Sequence, residues 1–143
     1  MKVKKILVPL DGSETSLRSM KYAIDLSKQC ESSIVGLHVL TDVSLFTAAH
    51  AVVVNEDKWP SHVKDFMKET KRLAEKNKIN YEEWVIGGKM AGLDIITFCE
   101  SKKNSIDLIV MGRRGRSLPK EIFFGSTTNF IIHKSKIPVL VTP

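Results

Sequence analysis

Apolar residues along this chain follow two alternating rhythms. Short, nearly continuous apolar runs occur at Lys5–Leu10, Ser33–Leu40, Ile106–Met111 and Ile137–Val141. A fifth run, Ile79–Ile86, alternates and contains Tyr81, Trp84 and Val85 before ending at Gly87-Gly88. Runs of this length rich in Ile, Val and Leu predict strands, and unbroken ones predict strands covered on both faces. Between them the spacing changes to that of helices. From Ser13 to about Cys30 it picks out Leu17, Met20, Ala23, Ile24 and Ser27. After Pro60 one stripe collects Val63, Phe66, Met67, Thr70, Leu73 and Ala74, with Lys64, Lys68, Lys71 and Arg72 away from its centre. A third helix carries Leu93, Ile95, Ile96 and Cys99 and is expected to end near Lys103-Asn104. A fourth, Ser126–Lys134, carries Phe130, Ile131 and Ile132. The segment Thr41–Trp59 has polar breaks around an apolar island at Ala48–Val54. A connection this long reads as a lid, a local helix or a binding loop.

Strand and helix therefore alternate strictly apart from that one connection. Alternation of this kind predicts an α/β fold: an open five-stranded parallel sheet, helices on both faces, and right-handed crossovers. The expected strand order is 3-2-1-4-5. In such sheets ligands lie beyond the carboxyl ends of the strands, where the strand order reverses. Asp11 follows the first strand, Val39 ends the second and Gly112 follows the fourth. If the first and fourth strands flank the switch point, these residues meet in one crevice.

Composition narrows the chemistry. The 143 residues suffice for one domain with a real core, and residues 1–143 read as a single domain. No apolar run reaches membrane-spanning length. The first apolar run is interrupted by Pro9 and Asp11, too short for a signal peptide, so a cytoplasmic location is expected. Cys30 and Cys99 form no C-x-x-C pair, and both read as buried small apolar residues near helix ends. His38, His50, His62 and His133 are scattered, so no metal site made of protein ligands alone is expected. The net charge of +6, from 22 basic and 16 acidic residues, suits an anionic ligand. The basic residues are spread over helices, aromatics are few and no nucleic-acid motif occurs, so the charge reads as a solvated surface with local attraction for phosphate.

The richest stretch for chemistry is Met111–Thr128. Gly112, Gly115 and Gly125-Ser126-Thr127 follow the apolar run Asp107–Val110 across one strand–loop–helix unit. Glycine lets a backbone approach a ligand closely, and Gly-Ser-Thr opening a helix offers N–H groups and hydroxyls to an anion. The pattern is not G-x-x-x-x-G-K-[ST], so no lysine is fixed over terminal phosphates. It is also not the dinucleotide fingerprint, which belongs after the first strand. Asp11 admits two readings, a helix cap or a carboxylate beside a ribose hydroxyl, a base or a magnesium ion. Ser13 can cap the same helix, and Glu14 suits the positive end of its dipole.

The run Pro9-Leu10-Asp11-Gly12-Ser13, the Leu37-His38-Val39 strand, the Asp107–Gly112 strand, Gly125-Ser126 and the terminal Pro138–Val141 together resemble the universal stress protein (UspA-like) family. The resemblance covers essentially the whole chain. Gly112, Gly115, Gly125 and Ser126 match the spacing G-x2-G-x9-G-[S/T] of that family's nucleotide-binding branch. The resemblance implies a Rossmann-like, nucleotide-binding α-hydrolase-like fold. It implies ATP, or AMP or cyclic AMP, held by Pro9, Leu10, Asp11, Val39, Met111, Gly112, Arg113, Gly115, Gly125, Ser126 and Thr127. Asp11 would lie near the ribose, the triphosphate and its Mg2+, and Val39 would meet adenine through its backbone. A homodimer paired through the last strand, residues 137–141, is implied as well. Arg113 stands where the family usually has a small Ser or Thr, Arg114 follows it, and Gly88-Lys89-Met90-Ala91 lacks the Pro common at that helix start.

Three functions follow from these readings. The first is an adenine-nucleotide-binding regulatory or stress-response protein with little intrinsic catalysis, because no His, Glu or Lys is placed as a general base for an attacking water. The second is an enzyme, either a slow ATPase or a protein that autophosphorylates on Ser126 or Thr127. The third is a nucleotide-free interaction module that uses the basic surface.

Overall fold

A computed structural model describes residues 1–41, 51–114 and 124–143. The elements in chain order are β1 (Lys5–Pro9), α1 (Glu14–Cys30), β2 (Ser33–Leu40), β3 (Val52–Val53), a single 3-10 turn (Glu56–Lys58), α2 (Ser61–Lys76), β4 (Tyr81–Gly87), α3 (Ala91–Glu100), β5 (Leu108–Gly112), α4 (Ser126–Lys134) and β6 (Val139–Thr142). They build one sheet in the order β3-β4-β2-β1-β5-β6. The pairs β1–β2, β1–β5, β2–β4 and β5–β6 are parallel. These are the five expected strands in the expected sequence of neighbours.

The sheet has six strands rather than five. The extra one, β3, pairs antiparallel with β4 through Val52↔Gly87 and Val53↔Ile86. Two residues are too few to show any period, which is why the Thr41–Trp59 connection hid it. The part of that connection between residues 42 and 50 lies outside the described residues. Several boundaries also move inward: α3 stops at Glu100, short of Lys103-Asn104, and β4 begins at Tyr81 rather than Ile79, β5 at Leu108 rather than Ile106 and β6 at Val139 rather than Ile137.

Alternation along the strands splits the core in two. Ile6, Val8 and Leu10 of the first strand region meet Met20, Ala23 and Ile24 of α1 and Val63, Met67 and Ala74 of α2. Leu7, Leu37, Ile109 and Met111 meet Ile95, Ile96 and Cys99 of α3 and Ile131 of α4. Helices therefore cover both faces, and β1, with Ile6, Leu7 and Val8 fully buried, lies at the centre. Residues at successive strand positions point to opposite faces, so one continuous apolar run feeds both cores. Leu93, expected among the apolar positions of α3, is instead 49% exposed. Cys99 is buried as expected, and burial pushes its thiol up to about 12, which keeps it protonated and inert. Cys30 is only half-buried at the end of α1.

The β1–α1 turn closes through its own side chains. Gly12 takes φ +81, a left-handed conformation that a side chain resists, and a Cβ there would stand 2.6 Å from Phe66 Cδ1 of α2. The turn can therefore be tight and still pack beneath α2.

Candidate functional site

The sheet order reverses between β2–β1 and β1–β5, and a crevice of about 340 Å³ opens there beyond the strand ends. β1 and the turn after it contribute Pro9, Leu10, Asp11 and Ser13, and α1 contributes Ser16; β2 contributes Leu37, His38 and Val39; β5 and its continuation contribute Met111, Gly112 and Arg114. Ala91 and Ile95 come from α3, and Gly125, Ser126, Thr127 and Thr128 from the start of α4. Of the residues singled out in the sequence, Pro9, Leu10, Asp11, Val39, Met111, Gly112, Gly125, Ser126 and Thr127 line this one crevice. Gly115 lies outside the described residues. Arg113 is not among the lining residues, whereas Arg114 is.

Hydrogen bonds fix the walls. Asp11 Oδ1 accepts from Ser13 N at 2.9 Å and from Ser13 Oγ at 2.5 Å. Ser13 Oγ in turn accepts from Ser16 N at 3.1 Å and so caps α1. The two sequence readings of Asp11 thus separate: Ser13 is the cap, and Asp11 orients it. Glu14 occupies the first turn, where the helix dipole favours an acid.

On the opposite wall, α4 begins differently. Gly125 is its N-cap, with φ −67 and ψ 161, and among the described residues no side-chain cap accepts from its first turn. No acidic residue lies in that turn. Thr128 Oγ1 donates to Gly112 O at 2.8 Å, and Gly125 N donates to Arg113 O at 2.9 Å, which lock the start of α4 to the end of β5. Arg113 N donates to Thr142 O at 2.9 Å, so the Arg113 backbone ties α4 to β6 as well. Its Nε is buried with no hydrogen-bond partner among the described residues.

Gly112 is needed for close approach to α1. A Cβ there would stand 2.2 Å from Thr15 Cγ2 and 3.3 Å from Ser19 Oγ. Ser19 Oγ lies 2.7 Å from Thr142 Oγ1 in a buried pair that links α1 to β6. The third wall carries His38, whose Nδ1 donates to Leu10 O at 2.6 Å and whose ring meets Phe66 edge-on at 5.0 Å. This bond holds the β1 and β2 ends of the crevice together.

Sequence reasoning missed several lining residues. His38 and Leu37 belong to the second predicted strand, but whether they reach the crevice depends on how the strand end twists. Ala91 and Ile95 arrive through the crossover helix α3, which no local pattern places beside β1. Thr128 could have been found: a small hydroxyl residue after Gly-Ser-Thr continues the same helix turn. Among the described residues, no three His, Cys, Asp or Glu side chains converge as metal ligands. Chemically, the crevice offers open backbone N–H groups, three hydroxyl residues and a guanidinium on one wall, a carboxylate on the other, and apolar Leu37, Val39, Ile95 and Met111 between them. Such a lining suits an anion joined to a flat or apolar body.

A family model described as the universal stress protein family matches residues 2–143. A universal stress protein of Methanocaldococcus jannaschii is 32% identical over 145 residues, which span 96% of this chain and 81% of the relative. The solved structure of another universal stress protein of that organism superposes with a TM-score of 0.81 at 26% identity and covers 99% of this chain and 96% of that one. A universal stress protein from Archaeoglobus fulgidus shares the fold at 19% identity and a TM-score of 0.71, with 99% of this chain and 98% of that one covered.

Proposed function

The chain belongs to the universal stress protein family, and on that premise we propose that its crevice binds an adenine nucleotide in a single-domain regulatory, stress-response protein with little intrinsic catalysis. The observation that carries this reading is the start of α4: a helix end with neither side-chain cap nor acid, set against β5 and facing Asp11 across the crevice. Phosphate fits there because backbone N–H groups, the Ser126 and Thr127 hydroxyls and the helix dipole favour negative charge, and Arg114 adds a cation to the same lining. Gly112 and Gly125 let the ribose and phosphates approach the chain. Val39 and Leu37 offer backbone and apolar contact to the base. The Archaeoglobus fulgidus protein was solved in complex with dAMP and another structure of this fold in complex with cAMP, which supports an adenine nucleotide as the ligand class.

ATP is the form proposed first, with AMP or cyclic AMP using the same base and ribose contacts. Asp11 would hold Mg2+ together with the phosphates, since magnesium prefers one or two carboxylates, phosphate oxygens and water. When bound, that ion would neutralise phosphate charge. The chain's own part is to orient the nucleotide: Ser13 fixes Asp11, and Thr128 fixes the start of α4. β6 lies at the sheet edge with Leu140 43% exposed, and pairing two copies through residues 137–141 would cover it. No helix among the described residues is long and apolar enough to cross a membrane, and a cytoplasmic site of action is part of the proposal.

Mass spectrometry of the purified protein, together with melting curves at millimolar ATP and Mg2+, tests the reading. A co-purifying adenine nucleotide or a raised melting temperature supports it. Absence of both overturns it in favour of a nucleotide-free interaction module. Phosphate release from radiolabelled ATP that Asp11→Ala abolishes would replace the binder with a slow ATPase, and label retained on Ser126 or Thr127 with an autophosphorylating enzyme.

A further inference from the structure

A second concavity of about 450 Å³ lies between the start of α1 and α2. Its apolar surface comes from Leu10, Leu17 and Phe66, and its rim carries Glu14, His62, Asp65 and Glu69. Leu10, Ser13 and Ser16 line both this groove and the crevice, so the β1–α1 turn is the wall between them. The volume is that of a small-molecule site.

The polar groups on its floor are already satisfied. Ser16 Oγ donates to Ser13 O at 3.0 Å, and Thr70 Oγ1 donates to Phe66 O at 2.6 Å. A ligand therefore meets hydrocarbon there and gains nothing by offering the floor a hydrogen bond. The rim is different. Glu69 is held by Arg72 through Nη2 at 2.8 Å and Nε at 3.1 Å. Glu14 and Asp65 are exposed and form no ion pair among the described residues. Two carboxylates facing solvent over an aromatic and aliphatic floor run against the sign of a chain with net charge +6. The charge that complements them is positive, and the body that complements the floor is apolar.

We propose that the groove between α1 and α2 is a second ligand site, for an organic ammonium ion with an aromatic or branched aliphatic body. The body packs on Leu10, Leu17 and Phe66. The ammonium lies at the rim between Glu14 and Asp65, near the Phe66 ring, where a cation is also favoured by the ring quadrupole. An anion is rejected by the same carboxylates. The proposal does not rest on what the crevice binds, although the two share the wall formed by Leu10, Ser13 and Ser16.

Backbone amide NMR titration of the full chain with 2-phenylethylammonium chloride tests it, with 2-phenylethanol and 3-phenylpropionate as matched neutral and anionic probes. The expected result is saturable shifts centred on Leu17, His62 and Phe66, weaker binding of the alcohol and none of the carboxylate. The double variant Glu14→Gln with Asp65→Asn should weaken the ammonium about tenfold, the size expected for two exposed ion pairs, and raising the salt concentration should weaken it in the wild type. Both substitutions are on exposed positions, so the fold is retained, and an unchanged spectrum elsewhere checks this. Equal binding of all three probes, shifts centred on Val39, Ala91 and Gly125, or an unaltered affinity in the double variant would each overturn the proposal.

Discussion

Two helix starts face each other across the crevice, and they are built on opposite plans. α1 begins with Ser13, which accepts from Ser16 N, is itself held by Asp11, and is followed by Glu14. Its first-turn donors and its dipole are provided for by the chain. α4 begins with Gly125, has no side-chain cap and no acid in its first turn, and ends in His133 and Lys134. Between them, α3 takes a middle course: Asp94 of its first turn accepts from Met90 N at 3.1 Å. α2 also starts uncapped, at Pro60, but none of its residues lines the crevice. An orphan N–H costs stability unless something accepts from it. Placed at the carboxyl end of β5 and anchored by Thr128 to Gly112, the open end of α4 is where an external acceptor is most rewarded. On the proposed function α1 serves the fold and α4 the ligand, although both stand at the same switch point.

That division is broken most directly at Gly125. Its φ of −67 and ψ of 161 are accessible to any residue, so Gly125→Val should leave the melting temperature near wild type. The added branches would stand where phosphate must approach, and ATP affinity by calorimetry is expected to fall about a hundredfold, ~2.7 kcal/mol. Unchanged affinity would remove the phosphates from α4. Gly112→Ala should separate the two roles less cleanly. Its methyl would press on Thr15 Cγ2 at 2.2 Å, pushing α1 from β5, with an expected loss of about 1–3 kcal/mol in urea denaturation alongside weaker nucleotide binding. A variant as stable as wild type would show that the α1–β5 contact yields easily.

Much of this arrangement was legible in the sequence because the signals are local. Unbroken Ile/Val/Leu runs with turns behind them marked β1, β2 and β5, and a serine three residues before the N–H it caps marked α1. Asp11, Val39 and Gly112 could be placed on one side because parallel strands put all their carboxyl ends together. What was not legible depends on geometry that no period encodes. β3 is two residues long and pairs with β4 because the connection happens to return past Gly87. Arg113 and Arg114 are adjacent, yet only Arg114 is among the residues that line the crevice, while the Arg113 backbone is bound to Thr142 and Gly125. α3 was drawn too long because Ser101–Asn104 is a turn, closed by Asn104 N donating to Ser101 O at 3.0 Å and Asn104 Nδ2 to Phe98 O at 2.7 Å. Leu93 shares its helix with the core residues Ile95, Ile96 and Cys99, and apolar character alone does not tell it from them.

The capped end makes the converse prediction. Ser13→Ala removes the acceptor for Ser16 N and one of the two bonds to Asp11, and should cost about 1 kcal/mol of stability. ATP affinity should change by less than in Gly125→Val, because Ser13 N still donates to Asp11 Oδ1. If Ser13→Ala harmed binding more than stability, the contrast between α1 and α4 would fail, and the β1 turn would be the principal ligand grip.

The smallest effect comes from a carboxylate whose situation is the reverse of Asp11's. Asp11 Oδ1 receives two hydrogen bonds, whereas Glu83 Oε2, on β4 beneath α2, is buried with no partner among the described residues. Burial raises the Glu83 carboxyl above its ordinary value; Lys71 pulls it partly back, and Glu56 and Glu75 push it up again. A carboxyl that titrates higher in the folded chain than in the unfolded one keeps its proton preferentially in the folded state. Stability therefore falls as pH rises from the ordinary carboxylate range through the raised value, and the penalty is fully present above it. Glu83→Gln removes the charge and keeps the shape. Its melting temperature should exceed wild type at pH 7, and the gap should close as pH falls to about 4, the ordinary range of a Glu carboxyl. A gap that is the same at both pH values would mean that the amide packs better for reasons unrelated to charge. A variant less stable than wild type at pH 7 would mean that attraction to Lys71 outweighs the burial, and that Glu83, like Asp11, is a carboxylate the fold has provided for.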